Sequence, residues 1–286
     1  MLNTLITGAT GFTGKHLHEY LNYSESEKLF HTSLSHNEVY ENFTSCDLLD
    51  SDKVRSFIDE VAPDNIYHLA GSFTNNFDID FSTNVQTTKN ILEAVKLKKK
   101  PCRVFLVGSA AEYGYTKVNE NPVTENQKLK PASFYGLTKV FQTYLMKYYV
   151  DTFGMDIVMA RPFNLYGKDI SDKLFVGKVY EQIDQLKKNI INKIKVGNID
   201  GERDYIYIKD AVKHYVTIMR AGKSGEVYNV GNGVPVKTEL ILKNILEEEN
   251  IDWSLVEINK TKKDRIYDAP VIYAEIIRLI NLGQAL

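Results

Sequence analysis

The chain has 286 residues, of which 43% are hydrophobic, so it is long enough to bury a full core in one large domain or in two joined ones. A net charge of −2 and a pI near 6.3 argue against a nucleic-acid-binding surface. No stretch approaches the roughly 20 apolar residues of a membrane span, and the first apolar run, Leu2–Thr7, is too short for the core of a signal peptide. These features argue against a membrane partner and favour a cytoplasmic protein.

Two cysteines are present, Cys46 and Cys102. Their separation matches neither a metal-ligand spacing nor a disulfide framework. We therefore expect two buried, reduced thiols and no bound metal.

Apolar, β-branched runs alternate with amphipathic stretches through the first 165 residues. The runs predict strands at Leu2–Thr7, Leu29–Ser35, Asn65–Ala70, Arg103–Gly108 and Ile157–Arg161. The amphipathic stretches predict helices at Gly14–Leu21, Ser51–Val61, Asn84–Lys96 and Ser133–Thr152. Strict alternation is typical of an α/β fold, here a Rossmann-type, doubly wound parallel sheet in residues 1–165.

The regular alternation weakens after residue 165. Short strands are predicted at Lys193–Val196 and Glu226–Val230, and helices at Lys209–Met219, Thr238–Glu248 and Val271–Ile280. We expect residues 166–286 to form a smaller mixed α/β lobe, with segments near 203–230 crossing back to the first domain.

Three glycines, Gly8, Gly11 and Gly14, stand in the stretch TGATGFTG between the first strand and the first helix. Their spacing permits a tight turn, close approach of the backbone to a ligand, and close packing of helix on strand. The helix that follows directs its free N–H groups at an anion, for which a dinucleotide pyrophosphate is the natural candidate. The alternative is a turn in which the glycines serve conformation alone. The position between strand and helix favours the cofactor.

The end of the second predicted strand bears on the choice between NAD and NADP. An acidic residue there bonds the adenosine ribose of NAD, whereas a basic one accepts the extra phosphate of NADP. Ser33, Ser35 and His36 offer hydroxyls and an imidazole but no carboxylate, which favours NADP with NAD as the alternative. A lone histidine such as His36 is, however, more often a plain exposed loop residue.

Asp47 follows the next short strand and is a candidate acceptor for the adenine amino group. The alternative for Asp47, and the preferred interpretation for Asp50 or Ser51, is a helix cap.

Tyr135 and Lys139 stand four residues apart in the longest predicted helix, so both side chains lie on one face. An ammonium near a phenol favours the phenolate, so we expect Lys139 to lower the pKa of Tyr135. Such pairs also occur by chance. Ser109 ends a strand at the edge of the sheet where ligands gather, and its hydroxyl is suited to bond a carbonyl oxygen. Tyr144 and Tyr148, on the same helix, are interpreted as packing residues.

The motifs TGATGFTG, CDLLD, YHLAG, VGSAAEYG, YGLTK and RPFNLYG together resemble the extended short-chain dehydrogenase/reductases that act on nucleotide sugars. The resemblance covers nearly the whole chain and implies a catalytic triad of Ser109, Tyr135 and Lys139. It also implies that the cofactor contacts the triad's Tyr135 and Lys139 together with Thr7, Gly8, Gly11, Phe12, Thr13, Gly14, Ser33, Ser35, His36, Asp47, Leu48, Leu69, Ala70, Gly71, Asn84, Pro162 and Phe163.

The second half of the chain, with VGNIDGERDYIYIKDAV, GEVYNVGNG and DRIYDAP, resembles the GDP-sugar branch of that family. The resemblance implies a GDP-linked substrate held by Ser72, Ser109, Ala110, Asn164, Phe175, Val176, Asn198, Arg203 and Arg265. An arginine fork suits phosphate oxygens, although Arg203 beside Asp204 is also placed for a structural ion pair. Family members usually pair two helices per subunit, here the predicted helices Asn84–Lys96 and Ser133–Thr152, into the four-helix bundle of a homodimer. The alternative is that the aromatic and aliphatic faces of these helices pack on the sheet.

Two residue positions after Ser109 help to distinguish among the possible reactions of this family. In the 4,6-dehydratases of this family, the two positions after the triad serine usually carry an acid and a base, whereas here they are Ala110 and Ala111. If the segment is extended, Glu112 points to the opposite face and cannot replace the base. The expected function is therefore reduction of a C4 keto group on a nucleotide-linked 4-keto-6-deoxy sugar. An epimerase with tightly bound NAD is the alternative, ahead of a 4,6-dehydratase and a non-catalytic dinucleotide sensor.

Overall fold

A computed structural model of the chain describes residues 1–23, 26–34, 40–259 and 269–284. Its first half alternates strand and helix in the order β1 (Leu2–Thr7), α1 (Phe12–Asn22), β2 (Glu27–Ser33), β3 (Phe43–Ser45), α2 (Ser51–Val61), β4 (Asn65–His68), α3 (Phe77–Phe81), α4 (Thr87–Lys96), β5 (Arg103–Val107), α5 (Phe134–Phe153) and β6 (Ile157–Pro162). The second half contains β7 (Asn164–Tyr166), α6 (Phe175–Lys187), β8 (Ile194–Val196), β9 (Glu202–Arg203), β10 (Tyr205–Tyr207), α7 (Ile208–Ala221), β11 (Val227–Val230), β12 (Val236–Lys237), α8 (Thr238–Glu248), β13 (Val256–Ile258), β14 (Val271–Ile272) and α9 (Ile277–Gly283).

Seven strands form the central sheet, in the order β11-β6-β5-β4-β1-β2-β3. All neighbouring pairs are parallel. Strand β6 is buried along its whole length, as expected for an inner strand covered on both faces. The predicted α/β class and Rossmann-type doubly wound sheet are confirmed.

Helices cover both faces of the sheet. Apolar side chains of α2, α4 and α5, among them Phe57, Ile91 and Met146, pack on one face. Side chains of α1 and α7, among them Leu17 and Tyr215, pack on the other. Cys46 and Cys102 are buried and free, as predicted. No helix within the described ranges is long and apolar enough to cross a membrane.

A smaller mixed lobe packs around its own apolar cluster, which includes Val179 of α6, Ile194 of β8 and Leu242 of α8. Strand β11 does not belong to the sheets of this lobe, because it pairs in parallel with β6 in the central sheet. The boundary at residues 165 and 166 stays a prediction.

Two predicted helices differ from the structure by more than two residues at an end. The helix expected at Asn84–Lys96 begins earlier, since α3 continues through a π turn at Ser82–Gln86 into α4. The segment expected as helix Val271–Ile280 is wrong in its first half, where Val271 and Ile272 form β14 and pair with β9. Their β-branched side chains suit a strand, and this pairing overrides the helical spacing.

Candidate active site

The turn between β1 and α1 leaves no room for side chains. Gly8 has φ +65°, and a Cβ at this position would lie 2.7 Å from the Ala70 nitrogen. A Cβ at Gly14 would lie 2.4 Å from the Gly8 oxygen. Because main-chain atoms occupy both spaces, the turn requires glycine at both positions.

The start of α1 offers backbone donors to an anion. Gly11 is the N-cap, and no side chain caps the helix. The first-turn N–H groups of Phe12, Thr13 and Gly14 are therefore not satisfied by a cap and are suited to an outside acceptor. This geometry fits the pyrophosphate of a dinucleotide, so the residues present fit the cofactor that the sequence predicts.

Thr7 and Leu69 build the floor of this site through packing. Thr7 Oγ1 accepts from the Ala70 N–H at 3.2 Å and lies 2.8 Å from His68 Nδ1. Thr7 is fully buried, and Leu69 packs against the core. The Thr7 side chain therefore joins the end of β1 to the end of β4 beneath the glycine turn.

Only part of the predicted adenosine end is described. Ser33 Oγ lies 2.8 Å from Thr10 Oγ1, which ties the end of β2 to the glycine turn. The predicted cofactor contacts Ser35 and His36 lie outside the described residues. Asp47 is exposed and Leu48 is buried in the core.

The caps beside Asp47 match the sequence. Asp50 caps α2 by accepting from the Lys53 N–H at 3.1 Å. Asp47 Oδ1 accepts from the Leu49 N–H at 3.0 Å, so this carboxylate has a local role in the turn. The Asp47 side chain is exposed at the same edge of the sheet, so its second oxygen, Oδ2, is accessible from solvent.

Ser109 and Tyr135 meet at the carboxyl end of β5. Ser109 is separated from the end of the strand by Gly108 and is the N-cap of a 3-10 turn, Ala110–Glu112. Its Oγ accepts from the Ala111 N–H at 3.1 Å and lies near enough to the Tyr135 hydroxyl to lower the pKa of that group. The structure thus joins two residues that are far apart in the sequence.

Lys139 lies one turn after Tyr135 on α5, as the spacing predicts. Its ammonium is 5.7 Å from the centre of the Tyr135 ring and donates to the Val107 carbonyl at 3.0 Å. A Cβ at Gly71 would lie 3.5 Å from Lys139 Nζ. Ser109, Tyr135 and Lys139 therefore lie beside Gly71, which directly follows the Leu69–Ala70 backbone that contacts the glycine turn.

The expectation that Lys139 lowers the pKa of Tyr135 is wrong, because the pKa of Tyr135 is raised in the structure. Burial raises the pKa of Tyr135 to about 12, and the nearby Ser109 hydroxyl only partly offsets this. Burial also lowers the pKa of Lys139 to about 8. The sequence could not reveal this, because the loss of solvent around the pair depends on the tertiary fold.

The wall beside Lys139 is fixed by Asn84, which is buried in the π turn. Its amide oxygen accepts from the Ser72 N–H at 2.8 Å, and its amide nitrogen donates to the Ser72 carbonyl and to Thr138 Oγ1. Gly71 is exposed beside this amide. Asn84 therefore shapes the loop that carries Gly71 and Ser72.

Two residues at this wall were not singled out from the sequence. Asp80 is fully buried and accepts from Ser72 Oγ, from Thr74 through its N–H and Oγ1, and from the Asn75 N–H. The loop so held places Phe73 edge-on to the Tyr135 ring, with 4.7 Å between ring centres. No local pattern distinguishes Phe73 from the other aromatic residues, so only the fold reveals it.

An open cleft of about 590 Å³ extends from this loop to α6. Polar and charged side chains dominate its walls, which are formed by Phe73, Thr74, Asn75, Asp172, Lys173, Lys178, Glu181 and Gln182. The cleft adjoins Phe73, whose ring contacts the Tyr135 ring, whereas Ser109, Tyr135 and Lys139 are not among the residues that line it. It is suited to a polar substrate.

The predicted substrate residues of the second half are dispersed over several elements. Phe175 begins α6 and is partly buried, whereas Val176 is buried in the lobe core. Asn164 donates through its amide to the Asp204 carbonyl at 3.0 Å. Asn198 is exposed and caps its own turn by accepting from the Asp200 N–H.

Arg203 lies on β9 and donates to the Glu202 carbonyl at 2.8 Å. The neighbouring Asp204 is buried, and its carboxylate accepts from the N–H groups of Asn232, Gly233 and Ala274. Asp204 therefore has a structural role through backbone donors. The predicted substrate contact Arg265 lies outside the described residues.

The end of strand β6 borders the candidate site at the carboxyl edge of the sheet. Pro162 and Phe163 are buried where this strand ends, and the Phe163 N–H donates to the Val230 carbonyl at 2.9 Å. Both residues contribute apolar surface near the carboxyl edge of the sheet.

The expectation of an extended segment around Glu112 is wrong. Residues Ala110–Glu112 form a 3-10 turn, and Ser109 and Glu112 form its capping box. The pattern Ser-x-x-Glu is a readable signal for such a turn, because serine and glutamate satisfy each other's backbone N–H groups. Glu112 is fully buried and paired with Arg161 at 2.8 Å, so it is not available as an eliminating base.

Comparison with known proteins agrees with this geometry. Residues 4–231 match the NAD dependent epimerase/dehydratase family. The GDP-6-deoxy-D-mannose reductase of Pseudomonas aeruginosa is 27% identical over 258 residues, which cover 88% of this chain and 82% of the relative. The putative UDP-glucose 4-epimerase of Methanocaldococcus jannaschii is 26% identical over 292 residues, which cover 98% and 92%.

Solved structures share the whole fold. RMD from Pseudomonas aeruginosa, complexed with NADPH, has a TM-score of 0.86 at 25% identity and covers 99% of this chain and 93% of that one. The UDP-glucose 4-epimerase of Thermotoga maritima, with UDP-glucose, has the same TM-score at 21% identity. Because the family match spans most of the chain, including the glycine turn and the serine, tyrosine and lysine, the chain belongs to the NAD dependent epimerase/dehydratase family of extended short-chain dehydrogenase/reductases, whose members here act on nucleotide sugars.

Proposed function

We propose that this chain is an NADP-dependent reductase that converts the C4 keto group of a GDP-linked 4-keto-6-deoxy sugar into a hydroxyl. The observation that carries the proposal is the meeting of Ser109, Tyr135 and Lys139 at the end of β5, beside two alanines where an eliminating enzyme needs an acid and a base. Hydride and proton transfer require only this triad and the cofactor.

Tyr135 acts as the proton donor in this proposal. The bond from its hydroxyl hydrogen to oxygen breaks, and the proton passes to the sugar O4 as negative charge develops there. Ser109 donates a hydrogen bond to the same oxygen and orients the carbonyl. Bound NADPH supplies the hydride that C4 accepts.

Lys139 is assigned two tasks. Its ammonium holds the nicotinamide ribose, and its charge stabilises the tyrosinate that remains after proton transfer. Burial keeps Tyr135 protonated before the reaction, because its pKa is raised to about 12. That state is the one a proton donor needs at neutral pH.

The cofactor is assigned to the glycine turn and its surroundings. The first turn of α1 receives the pyrophosphate, and the residues around Gly71 and Asn84 flank the nicotinamide end. NADP is preferred over NAD because the end of β2 lacks a carboxylate and carries Ser33, paired with Thr10. The solved relative that contains NADPH supports the same preference.

The substrate is assigned to the cleft between the Phe73 loop and α6. A guanosine diphosphate carrier is favoured by the similarity to the Pseudomonas reductase. Lys173 and Lys178 supply positive charge along the cleft for the diphosphate. We retain the remaining predicted contacts, Ser72, Ala110, Asn164, Phe175, Val176, Asn198, Arg203 and Arg265, as part of this proposal.

An epimerase is the second candidate, because the Methanocaldococcus relative aligns along nearly the whole chain and the same triad serves both reactions. An epimerase retains its cofactor and consumes none during turnover. Protein purified with tightly bound NAD would favour this candidate.

We also propose a cytoplasmic homodimer. The face of α5 that carries Phe141, Tyr144 and Tyr148 is exposed, with Tyr144 60% accessible, so the expectation that Tyr144 and Tyr148 are packed within the chain is wrong. An aromatic stripe of this kind is suited to a helical interface with a second copy.

The experiment is an assay of NADPH and NADH oxidation with GDP-4-keto-6-deoxy-mannose, compared with its dTDP-, UDP- and CDP-linked analogues. Rapid oxidation of NADPH with the GDP-linked sugar is the expected result. Failure of all four substrates to oxidise either cofactor would contradict the reductase.

A further inference from the structure

A single buried carboxylate joins the elements that carry the triad. Glu112 Oε1 accepts from the Ser109 N–H at 2.9 Å. Glu112 Oε2 accepts from Thr143 Oγ1 at 2.6 Å and from Arg161 Nη2 at 2.8 Å. Both charged side chains are withdrawn from solvent, so every contact of the carboxylate is with protein.

These partners come from three different elements. Ser109 follows β5, and Arg161 lies on β6. Thr143 lies on α5, one helical turn beyond Lys139 and two beyond Tyr135, so the three residues share a face. Glu112 therefore connects the serine with the helix that presents the tyrosine and the lysine.

The surrounding structure is built to receive this carboxylate. A Cβ at Gly108 would lie 2.4 Å from Glu112 Oε1, so a larger residue there would displace this carboxylate from its position. Arg161 also donates to the Tyr113 hydroxyl at 3.0 Å and lies 4.9 Å from the centre of that ring. The Tyr113 hydroxyl in turn bonds Asn229 Oδ1 at 2.6 Å, which extends the network to β11.

A buried ion pair is not in itself strong evidence for stability. Withdrawing two charges from water costs much of what their attraction returns, and apolar pairs of similar volume often stabilise as well. What an apolar pair cannot do is accept the Ser109 N–H and the Thr143 hydroxyl at fixed positions. The arrangement therefore favours a role in geometry.

The charge of Glu112 also acts on the two titrating members of the triad. It raises the pKa of Tyr135 and opposes the effect of burial on the pKa of Lys139. Both effects favour the protonated forms. In a reduction, protonated Tyr135 gives its proton to the substrate, and Lys139 must remain an ammonium.

We propose that Glu112, fixed by Arg161, is a positioning residue that holds the Ser109 hydroxyl in register with Tyr135 and Lys139. The catalytic part of this proposal rests on the reductase function, whereas the structural part concerns the chain alone. No contact between Glu112 and substrate or cofactor is involved.

The test compares wild-type protein with Glu112→Gln, which keeps the shape of the side chain and removes its charge. We expect kcat to fall at least tenfold, with KM for the sugar and the NADPH affinity, measured by fluorescence, each within about threefold. The alkaline limb of the kcat profile should move to lower pH, because Lys139 and Tyr135 lose the charge that favours their protonated forms. Unchanged kcat and pH profile would overturn the proposal.

A double variant separates geometry from folding. Glu112→Gln with Arg161→Met leaves no uncompensated charge, so we expect its melting temperature to recover relative to Glu112→Gln alone. Its kcat should remain low, because the Ser109 and Thr143 contacts stay impaired. Full recovery of kcat would overturn the proposal.

Asp156→Asn is the matched control. Asp156 pairs with Arg103 at 2.8 Å between the opposite ends of the same two strands. We expect this variant to keep wild-type kcat and pH dependence. An equal loss of kcat in Asp156→Asn would show that any broken pair between β5 and β6 suffices, which contradicts a specific role for Glu112.

A readout that needs no turnover distinguishes the two proposals. Nuclear magnetic resonance of amide exchange at Ser109, and of the Tyr135 ring assigned with Tyr135→Phe, reports the geometry directly. Faster exchange at Ser109 and a shifted Tyr135 signal in Glu112→Gln support the positioning role even if the wild type reduces no sugar, an outcome that would contradict only the reductase. Unchanged signals overturn the positioning role whatever the activity.

Discussion

Tyr135 and Lys139 titrate in directions that suit proton donation. Burial holds the pKa of Tyr135 at about 12 and lowers the pKa of Lys139 to about 8. The tyrosine is therefore protonated throughout the neutral range. The lysine carries its charge below about pH 8 and loses it above.

We predict that kcat for sugar reduction falls as the pH rises through about 8, because the Lys139 ammonium is lost. Lys139→Arg keeps a charge at that pH. This variant should be slower, by about tenfold, but its alkaline limb should move upward by more than one pH unit. A wild-type profile that stays flat between about pH 7 and 9.5 would contradict the assignment.

The sequence supplied the identities of these residues but not their electrostatics. The four-residue spacing of Tyr135 and Lys139 follows from helix geometry alone. The direction of each pKa shift follows from burial, which only the fold creates. The carboxylates Asp80 and Glu112, distant in the sequence, raise both pKa values and so oppose the shift at Lys139. The role of Glu112 was readable in part, since Ser-x-x-Glu indicates a capping box.

The glycine turn gives a prediction at the scale of an element. Gly14→Ala places a Cβ 2.4 Å from the Gly8 oxygen and 2.7 Å from Ala9 Cα, so the turn or α1 must shift. We expect a loss of about 1–3 kcal/mol in the free energy of unfolding and at least tenfold weaker NADPH binding. Thermal denaturation and fluorescence titration measure the two effects.

Gly283→Ala is the control for that variant. Gly283 is also helical, but a Cβ there meets nothing within 4 Å. We expect unchanged NADPH affinity and equal or slightly higher stability, since alanine is the better helix former. Equal weakening in both variants would show that the crowding at Gly14 is irrelevant.

The contact between α1 and β2 is predicted to be acid-sensitive. His31 is buried, stacks on Tyr40 at 4.3 Å and lies 2.9 Å from His18. Burial, and then the proximity of His18, lower the pKa of His31 from 6.5 to about 4. Between these values the unfolded chain binds a proton that the folded chain does not, so stability is complete above about pH 6.5 and declines as the pH falls toward 4.

His31→Phe retains an aromatic ring against Tyr40 and removes this titration. The difference between 6.5 and about 4 corresponds to at most about 3 kcal/mol. We expect the variant to lose less melting temperature than the wild type between pH 7 and about pH 4.5. An identical loss in the two proteins would exclude His31 as the source.

Most elements were predictable because their patterns are long and periodic. Helix α2 has the predicted bounds, Ser51–Val61, and Asp50 caps it as expected. The failures have physical causes in tertiary contacts. Val271 and Ile272 join a small sheet through pairing with β9, and the π turn at Ser82–Gln86 inserts Asn84 beneath the Gly71 loop.

At the scale of the whole molecule, the exposed face of α5 predicts self-association. Phe141, Tyr144 and Tyr148 lie three, then four, residues apart and form one apolar stripe. Tyr144→Arg should convert a dimer into a monomer in sedimentation, because it places one positive charge from each copy near the centre of the interface, and these like charges repel. Tyr20→Arg, on the exposed part of α1, should leave the dimer intact, and a monomeric wild type would contradict the prediction.

The fold topology also determines which part of the chain contributes which part of the candidate site. The central sheet carries the glycine turn and Ser109 at the carboxyl ends of its strands, while the smaller lobe supplies α6 to the far wall of the cleft. Such an arrangement was predictable from strand alternation. The shape of the cleft was not, because it depends on the loop that Asp80 fixes.

The most direct test of Tyr135 as the proton donor is the rate of NADPH oxidation with GDP-4-keto-6-deoxy-mannose in wild type, Tyr135→Phe and Tyr144→Phe. We predict that Tyr135→Phe loses about 10²- to 10⁴-fold in kcat with a similar KM, because it removes the donor and little else. Tyr144→Phe, on the exposed face of the same helix, should match the wild type. Undiminished turnover in Tyr135→Phe would contradict the proposed chemistry.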